Sequence, residues 1–267
     1  MLIINNGTPK SGSTWINKIV RKTLPLDRLE RKWRRKDWNS DSVHPDQLRQ
    51  FIEHGDWKVE DILIKSHMSY ISKFDYLLQP GIKIIVTYRN LPDSIVSLFH
   101  HQMRLKKTPH TEIDIWFRMT GLKFAKKFIA YRRHWAQHES VLMISYESLI
   151  EDAPSQISKI GEFLGQNLTK EKANEIAKAT QVKLKPDEKP KDGSHTRTGG
   201  HSRAHLELPP KILERLIRME QRVTKQVAQA AKTRSIESKA PLKSNKTQKP
   251  KPKPKTKTEA KPESTKS

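Results

Sequence analysis

The chain has 267 residues, 34% of them hydrophobic, no cysteine and a formal net charge of +23. This length suits one domain with an appendage, and the missing cysteines exclude a disulfide framework, a thiolate metal centre and a thiol nucleophile. No stretch approaches the ~20 apolar residues of a membrane-spanning helix, and so basic a chain suits anionic ligands such as nucleotides, or nucleic acid or an acidic membrane.

Met1 leads directly into the apolar run Leu2-Ile3-Ile4. That leaves no room for a signal peptide, and the default expectation is a cytoplasmic protein. The run predicts a buried strand. Gly7-Thr8-Pro9-Lys10-Ser11-Gly12-Ser13-Thr14 follows, with two glycines, one lysine and four hydroxyls. Ile16, Ile19, Val20 and Leu24 then recur at helical spacing. A strand, a small-residue loop and a helix make a phosphate-binding arrangement, because loop N–H groups and the positive end of the helix face the anion. The spacing Gly7-x4-Gly12 matches the first half of a Walker A loop, but Ser13 stands where its lysine belongs, and the cation is Lys10 inside the loop.

Residues 25–43 are rich in Arg, Lys and Trp. They read either as a solvated segment whose tryptophans pack back on the body or as a lid over an anionic ligand. Pro45 to His54 predicts a short helix closed by Gly55. Asp61 to His67 predicts a second buried strand and Ser69 to Leu78 a helix broken by Pro80-Gly81. Ile82 to Tyr88 is a third, strongly β-branched strand, with Arg89-Asn90 at its end. Pro92 suits the first turn of a helix reaching about Lys107. Glu112 to His138 reads as one long amphipathic helix, and Val141 to Ser145 as a fourth strand ending in Tyr146-Glu147. Helices follow at 155–164 and 170–180, then a loop over 183–205, then a last helix from Pro209 to about Lys232. The tail 233–267, with Lys249-Pro250-Lys251-Pro252-Lys253-Pro254-Lys255 at its centre, is too polar to bury a core and reads as disordered. Residues 232–267 carry 12 Lys/Arg against 3 Asp/Glu, so the tail suits anionic surfaces or nucleic acid.

Strands alternating with helices predict an α/β fold of three layers, P-loop-like, with a central parallel sheet flanked by helices. Such sheets bind ligands beyond their carboxyl ends. That edge gathers Lys10 to Trp15, Lys65 to His67, Arg89 to Ser97 and Tyr146-Glu147. Arg89 offers a planar fork for a phosphate, or pairs with Asp93. His67 is placed to act as a general base, or is a hydrogen-bonded strand-end histidine. His134 and His138 face one side of a helix, but lack the glutamate of H-E-x-x-H and an evident third ligand. No strand ends in a Walker B carboxylate, which argues against a Mg²⁺-nucleotide mechanism.

Thr8-Pro9-Lys10-Ser11-Gly12-Ser13-Thr14-Trp15 resembles the 5′-phosphosulfate loop of the sulfotransferases that use 3′-phosphoadenosine 5′-phosphosulfate (PAPS). Lys65-Ser66-His67 resembles their K-T-H strand end, and Arg89 to Ser97 their 3′-phosphate motif R-N-P-x-D-x-x-x-S. Tyr146-Glu147-Ser148-Leu149, Asp152-Ala153-Pro154 and Phe163-Leu164-Gly165 resemble their Y-E-D-L…D-P…F-L-G segment. The likeness runs in the family's order from residue 2 to about 220, which makes 1–232 the sulfotransferase domain. It implies sulfuryl transfer from PAPS to a hydroxyl or amine of a small-molecule or saccharide acceptor, without a metal. Lys10 and Lys65 would contact the phosphosulfate, with Ser11, Gly12, Ser13 and Thr14 around the 5′-phosphate. Trp15 would stack on adenine with Tyr146 near it, Arg89 and Ser97 would bind the 3′-phosphate, and His67 would take the acceptor proton. Leu91 stands where the family has proline, with Pro92 one place later. The family's R-K-G-x-x-G-D-W segment is matched only loosely by residues 197–203, so Arg197 is the candidate second 3′-phosphate arginine and Arg203 its competitor. A nucleotide or small-molecule kinase and a non-catalytic polyanion or nucleic-acid binder are the alternatives.

Overall fold

A computed structural model describes residues 1–27, 29–33, 43, 45–68, 72–181 and 204–237. The expected tail from 238 on, Arg197, Arg203, most of the 183–205 loop and the basic residues 34–42 lie outside the described residues. Strands β1 (Leu2–Asn6), β2 (Ile62–Ser66), β3 (Ile82–Tyr88) and β4 (Val141–Ser145) form one sheet in the order β2-β1-β3-β4. Every pairing is parallel. The helices in chain order are α1 (Ser13–Thr23), α2 (Pro45–His54), α3 (Leu91–Arg104), α4 (Ile113–Trp116), α5 (Leu122–Trp135), α6 (Tyr146–Glu151), α7 (Ala153–Phe163), α8 (Lys170–Thr180), α9 (Ala204–Glu207) and α10 (Pro210–Glu237).

The period-2 alternation of the strands decides which helix lies on which face. Leu2, Ile4, Ile62, Ile64, Ile82, Ile84, Val86 and Val141 point to one side, where Phe51 of α2 and Tyr131 and Trp135 of α5 close over them. Ile3, Leu63, Ile85 and Ile144 point to the other, against Ile16 and Ile19 of α1, Ile157 and Ile160 of α7 and Ile176 of α8. A separate core joins α3, α4, α5, α9 and α10 through Ile95, Phe99, Trp116, Phe128, Leu208 and Leu216, with no strand residue in it. The chain leaves β1 toward β2 and leaves β3 toward β4. The sheet therefore switches direction between the carboxyl ends of β1 and β3, where a crevice forms.

Several elements differ from the expectation. The described part of the expected helix over 69–78 is a 3₁₀ helix, Ser72–Leu77. The expected helix over 112–138 is broken by a π-helical turn at Phe117–Gly121. Trp116 and Phe117, adjacent in sequence, are both buried in the α3–α10 core, and their rings fill the place of a Gly121 side chain, 2.7 and 2.8 Å from a Cβ built there. Apolar periodicity alone does not register such a turn. Tyr146–Glu151 is a helix in its own right, capped by Ser145, whose side chain accepts from Ser148 N. The last helix runs to Glu237, past the expected end near Lys232. Of the basic segment after α1, Trp33 packs edge-on against Phe51 and His54 at 5.5 and 5.7 Å, as the packed-back reading expects. Among the described residues no helix is long and apolar enough to cross a membrane.

The β1 exit is the tightest place in the sheet. Thr8 N donates to Thr87 O at 2.9 Å, and a Cβ at Gly7 would sit 2.1 Å from Thr87 Oγ1. Gly7→Ala is therefore expected to destabilise the protein by about 1–3 kcal/mol, the usual range for overpacking. The check is the urea midpoint in a cycle with Thr87→Ala: the loss must shrink in the Thr87→Ala background, since the clashing oxygen is then gone. An undiminished loss would place the strain elsewhere.

Candidate active site

The loop between β1 and α1 is shaped by contacts with the end of β3. Ser11 is fully buried, and its hydroxyl lies 2.7 Å from Thr8 O, 3.0 Å from Thr87 O and 2.9 Å from Thr87 Oγ1. This hydroxyl braces the loop, and Ser11 N donates to Thr8 O at 3.2 Å. Lys10 takes φ 70° and Gly12 φ 89°. Left-handed backbone at a lysine costs about 1 kcal/mol or more and marks a conformation the surroundings enforce. At Gly12 a Cβ would in addition press on the Tyr146 ring at 2.7 Å. Gly12 heads α1 without any side-chain cap, so the first N–H groups of the helix depend on another acceptor. Together these leave a concave, N–H-lined cradle with Lys10 on its rim.

The other clusters converge on this cradle. Lys65, from β2, donates its Nζ to Thr14 Oγ1 at 3.0 Å. His67 Nδ1 lies 2.5 Å from Gly7 O. A carbonyl only accepts, so Nδ1 carries the proton and Nε2 is the basic nitrogen. Asn6 ties the β1 and β2 exits together: its amide donates to Met68 O at 3.2 Å and accepts from Met68 N at 2.8 Å. Tyr146 is the hub on the other side. Its ring stacks under the Arg89 guanidinium, 4.6 Å from the ring centre, and meets Trp15 edge-on at 6.4 Å. Arg89 also lies 3.7 Å from Asp93, the partner that its alternative reading expects. Ser97 lies half-buried in the second turn of α3.

Trp15 is buried among the α1, α7 and α8 side chains, only 5% exposed, and its Nε1 donates to Thr180 Oγ1 at 3.2 Å. Its apolar body is thus largely covered by protein, and Tyr146 is the more open ring beside the loop. Three supporting contacts are not legible in the sequence. Thr87 braces Gly7, Thr8 and Ser11. Glu147 accepts from Asn90 N at 3.0 Å and from Asn90 Nδ2 at 2.8 Å. Glu220, on α10, accepts from Leu91 N at 3.1 Å while pairing with Arg132, which stacks on Tyr88 at 4.1 Å. Asn90 itself caps α3, accepting from Asp93 N at 2.9 Å, so the helix starts normally although Leu91 precedes Pro92. Neither long-range glutamate contact has a signal in local sequence, because both span more than 50 positions. Among the described residues His134 and His138 gather no third ligand, and no group of three potential metal-binding side chains occurs.

The electrostatics follow from burial first and from crowded like charges second. Burial, then the charges of Arg104, Lys65 and Arg89, lower the Lys10 pKa to about 8. Burial lowers the His67 pKa to about 4; the Gly7 carbonyl opposes this, and Lys65, Lys10 and Lys127 add to it. His67 is therefore neutral at pH 7 and Lys10 mostly charged. The site can bind an anion and hold a proton acceptor within one crevice.

The fold recurs in known proteins. Mouse sulfotransferase SULT7A1, solved with PAP, superposes with a TM-score of 0.59 at 16% identity, covering 90% of this chain and 88% of that one. Retinol dehydratase, solved with retinol and PAP, gives 0.55 at 15% identity over 84% and 81%. The guinea pig (Cavia porcellus) 3-beta-hydroxysteroid sulfotransferase is 28% identical over 190 residues, 66% of this chain and 63% of the relative. Bovine (Bos taurus) sulfotransferase 1A1 is 29% identical over 200 residues, 66% and 62% respectively. The chain thus spans about three fifths of the length of the curated relatives it matches. A family model described as the sulfotransferase domain matches residues 2–227, from the first strand through the helix that carries Glu220; the chain belongs to the sulfotransferase domain family.

Proposed function

We propose that the protein transfers a sulfuryl group from PAPS to an acceptor hydroxyl or amine, with His67 as general base. One observation carries this reading. The β1–α1 cradle, Lys10, Lys65, neutral His67 and Arg89 share one crevice at the switch point of the sheet. The donor chemistry fits these residues: a phosphosulfate and a 3′-phosphate are anionic at both ends, and the crevice offers uncapped helix N–H groups at one end and a guanidinium at the other.

In this mechanism the acceptor oxygen forms a bond to sulfur while the bond from sulfur to the bridging phosphate oxygen breaks. His67 Nε2 takes the acceptor proton. Lys10 stabilises the charge gathering on the departing oxygen, and Lys65 faces the sulfonate. The N–H groups of Gly12, Ser13 and Thr14 suit the 5′-phosphate, whereas the Ser11 hydroxyl acts through the loop it braces. Arg89 and Ser97 hold the 3′-phosphate, and Tyr146 flanks the adenine together with the exposed margin of Trp15. Such a transfer needs positioning and charge stabilisation more than covalent chemistry. Lysine and N–H donors then take the place of Mg²⁺. Arg197 stays the proposed second 3′-phosphate arginine and Arg203 its competitor; both lie outside the described residues, and the chain that resumes at Ala204 is tied to Asp93, Ala204 N donating to Asp93 Oδ1 at 3.2 Å. Relatives named for hydroxysteroids and for amines support an acceptor hydroxyl or amine.

The direct test is isothermal titration with 3′-phosphoadenosine 5′-phosphate (PAP), with and without Mg²⁺. Binding without the metal is expected, and binding that requires Mg²⁺ or ignores the 3′-phosphate overturns the reading. Arg89→Ala should weaken PAP by roughly tenfold or more, the scale of one charge-assisted hydrogen-bonded pair. His67→Ala should keep PAP affinity and lose at least about 100-fold in kcat; unchanged turnover removes His67 as the base.

The pH dependence has a definite sign. In the free enzyme His67 must be neutral, so kcat/KM rises through about pH 4, and Lys10 must be charged, so it falls above about pH 8. PAP brings negative charge beside both groups and favours their protonated forms. The His67 imidazole, followed by NMR titration, is therefore expected to move upward when PAP binds. A downward move contradicts its placement beside the nucleotide.

A further inference from the structure

Beyond their last paired residues, Asn6 and Ser66, strands β1 and β2 part. Gly7 turns toward β3, where Thr8 N donates to Thr87 O at 2.9 Å. Side chains then take over the link between the two exits. The residues that come next are Gly7 and His67, and His67 Nδ1 donates to Gly7 O at 2.5 Å. One residue further, Met68 bonds to the Asn6 side chain, its N donating to Oδ1 at 2.8 Å and its O accepting from Nδ2 at 3.2 Å. A side-chain amide offers a donor and an acceptor side by side, so it continues the ladder where the main chain has turned away. Helix α5 closes on the same two exits. Tyr131 OH donates to Asn6 O at 2.6 Å and Trp135 Nε1 to Met68 O at 3.0 Å. Asn6, Met68, Tyr131 and Trp135 are all at most 4% exposed, so water is poorly placed to replace these bonds. Burial also holds the Tyr131 pKa well above the usual phenol range, and the hydroxyl stays a donor.

These bonds bracket both ends of the contact between His67 and Gly7. His67 lies between Ser66, held by the ladder, and Met68, held by the Asn6 side chain. Gly7 lies between Asn6, whose carbonyl is held by Tyr131, and Thr8, held by Thr87. Asn6 belongs to both brackets: its main chain leads into the acceptor, and its side chain fixes the residue after the donor. The Gly7 carbonyl keeps the proton on Nδ1 and the lone pair on Nε2, the form in which Nε2 can accept a proton. An imidazole that loses this acceptor can take the other tautomer, whose Nε2 already carries the proton. We propose that Asn6 is a positioning residue for His67: it holds the ring against Gly7 O and thereby reserves Nε2 as the basic nitrogen. This role rests on the reading of His67 as the general base.

The experiment reads the tautomer of His67 by NMR in the free full chain at neutral pH, isotopically labelled at its histidine nitrogens. His67 is assigned by the loss of its signals in His67→Gln. The unmodified chain is expected to carry the proton on Nδ1. Asn6→Ala is expected to move the tautomer ratio toward Nε2–H by about fivefold or more, the scale of one buried hydrogen bond, and to leave PAP affinity within about twofold. Tyr131→Phe, which removes only a hydroxyl, should move the ratio the same way. Ile4→Val, a core substitution on the same face of β1, should lower the urea midpoint without moving the ratio. An unchanged ratio in Asn6→Ala, or in Tyr131→Phe where Asn6→Ala does not fold, overturns the role of Asn6. So does an equal shift in Ile4→Val, a proton on Nε2 in the unmodified chain, or a larger loss of PAP affinity in Asn6→Ala. Full turnover in His67→Ala instead overturns the reading of His67 as the base and leaves the tautomer ratios as measured, so the two failures are distinguished.

Discussion

The approach of Gly7 to Thr87 is the contact on which the rest of the site depends. Parallel pairing sets β1 beside β3, and the chain leaving β1 must turn over the last residues of β3 to reach α1. It passes so close that no side chain fits at Gly7. Thr87 then supplies acceptors to Thr8 and Ser11, which forces the loop tight enough to hold Lys10 in a left-handed conformation. Arg89 follows Thr87 by two residues. The same contact therefore fixes both the anion cradle and the guanidinium that faces it across the crevice.

Charge is the second organising constraint. Burial first, then the charges of Arg104, Lys65 and Arg89, lower the pKa of Lys10, and burial first, then the charges of Lys65, Lys10 and Lys127, lower that of His67. Asp93 stands beside Arg89 and Tyr146 offers its ring face; in the proposed function an anionic donor adds negative charge beside Lys10 and His67 and favours their protonated forms. The two helix ends nearby are treated differently. Glu147 and Glu220 accept from Asn90 and Leu91 at the start of α3, so that end is already satisfied by carboxylates. The start of α1 has no side-chain cap. In the proposed function, phosphate recognition by backbone N–H groups is therefore assigned to the start of α1, and at α3 to the side chains of Arg89 and Ser97.

The legible part of the structure was local. The β-branched run of Ile82 to Tyr88 and the apolar runs at 2–4 and 62–64 specify strands wherever they pack. Pro45 and Gly55 bracket α2 through their own backbone restrictions. The phosphate loop was readable because glycines, a lysine and hydroxyls at that spacing have few other uses between a strand and a helix. What escaped was decided by packing. Trp116, Phe117 and Gly121 form a π-helical turn because two adjacent rings seek one core. The bonds of Ser11 to Thr8 and Thr87 and of the Trp15 indole to Thr180, 165 positions away, have no signal in the local sequence.

The sequence by itself determined the kind of chemistry: an α/β sheet with an anion-binding loop, a displaced lysine, a strand-end histidine and an arginine before a helix. Those signals lie within short windows, where residue type and spacing act directly on the backbone. Only the tertiary structure decided how they act together. It set the tautomer of His67 through a carbonyl 60 residues away, and seated Glu220 of the last helix on the start of α3. Side-chain hydrogen bonds and charges act over a few ångströms of space, and that proximity exists only after the sheet and its crossovers have formed.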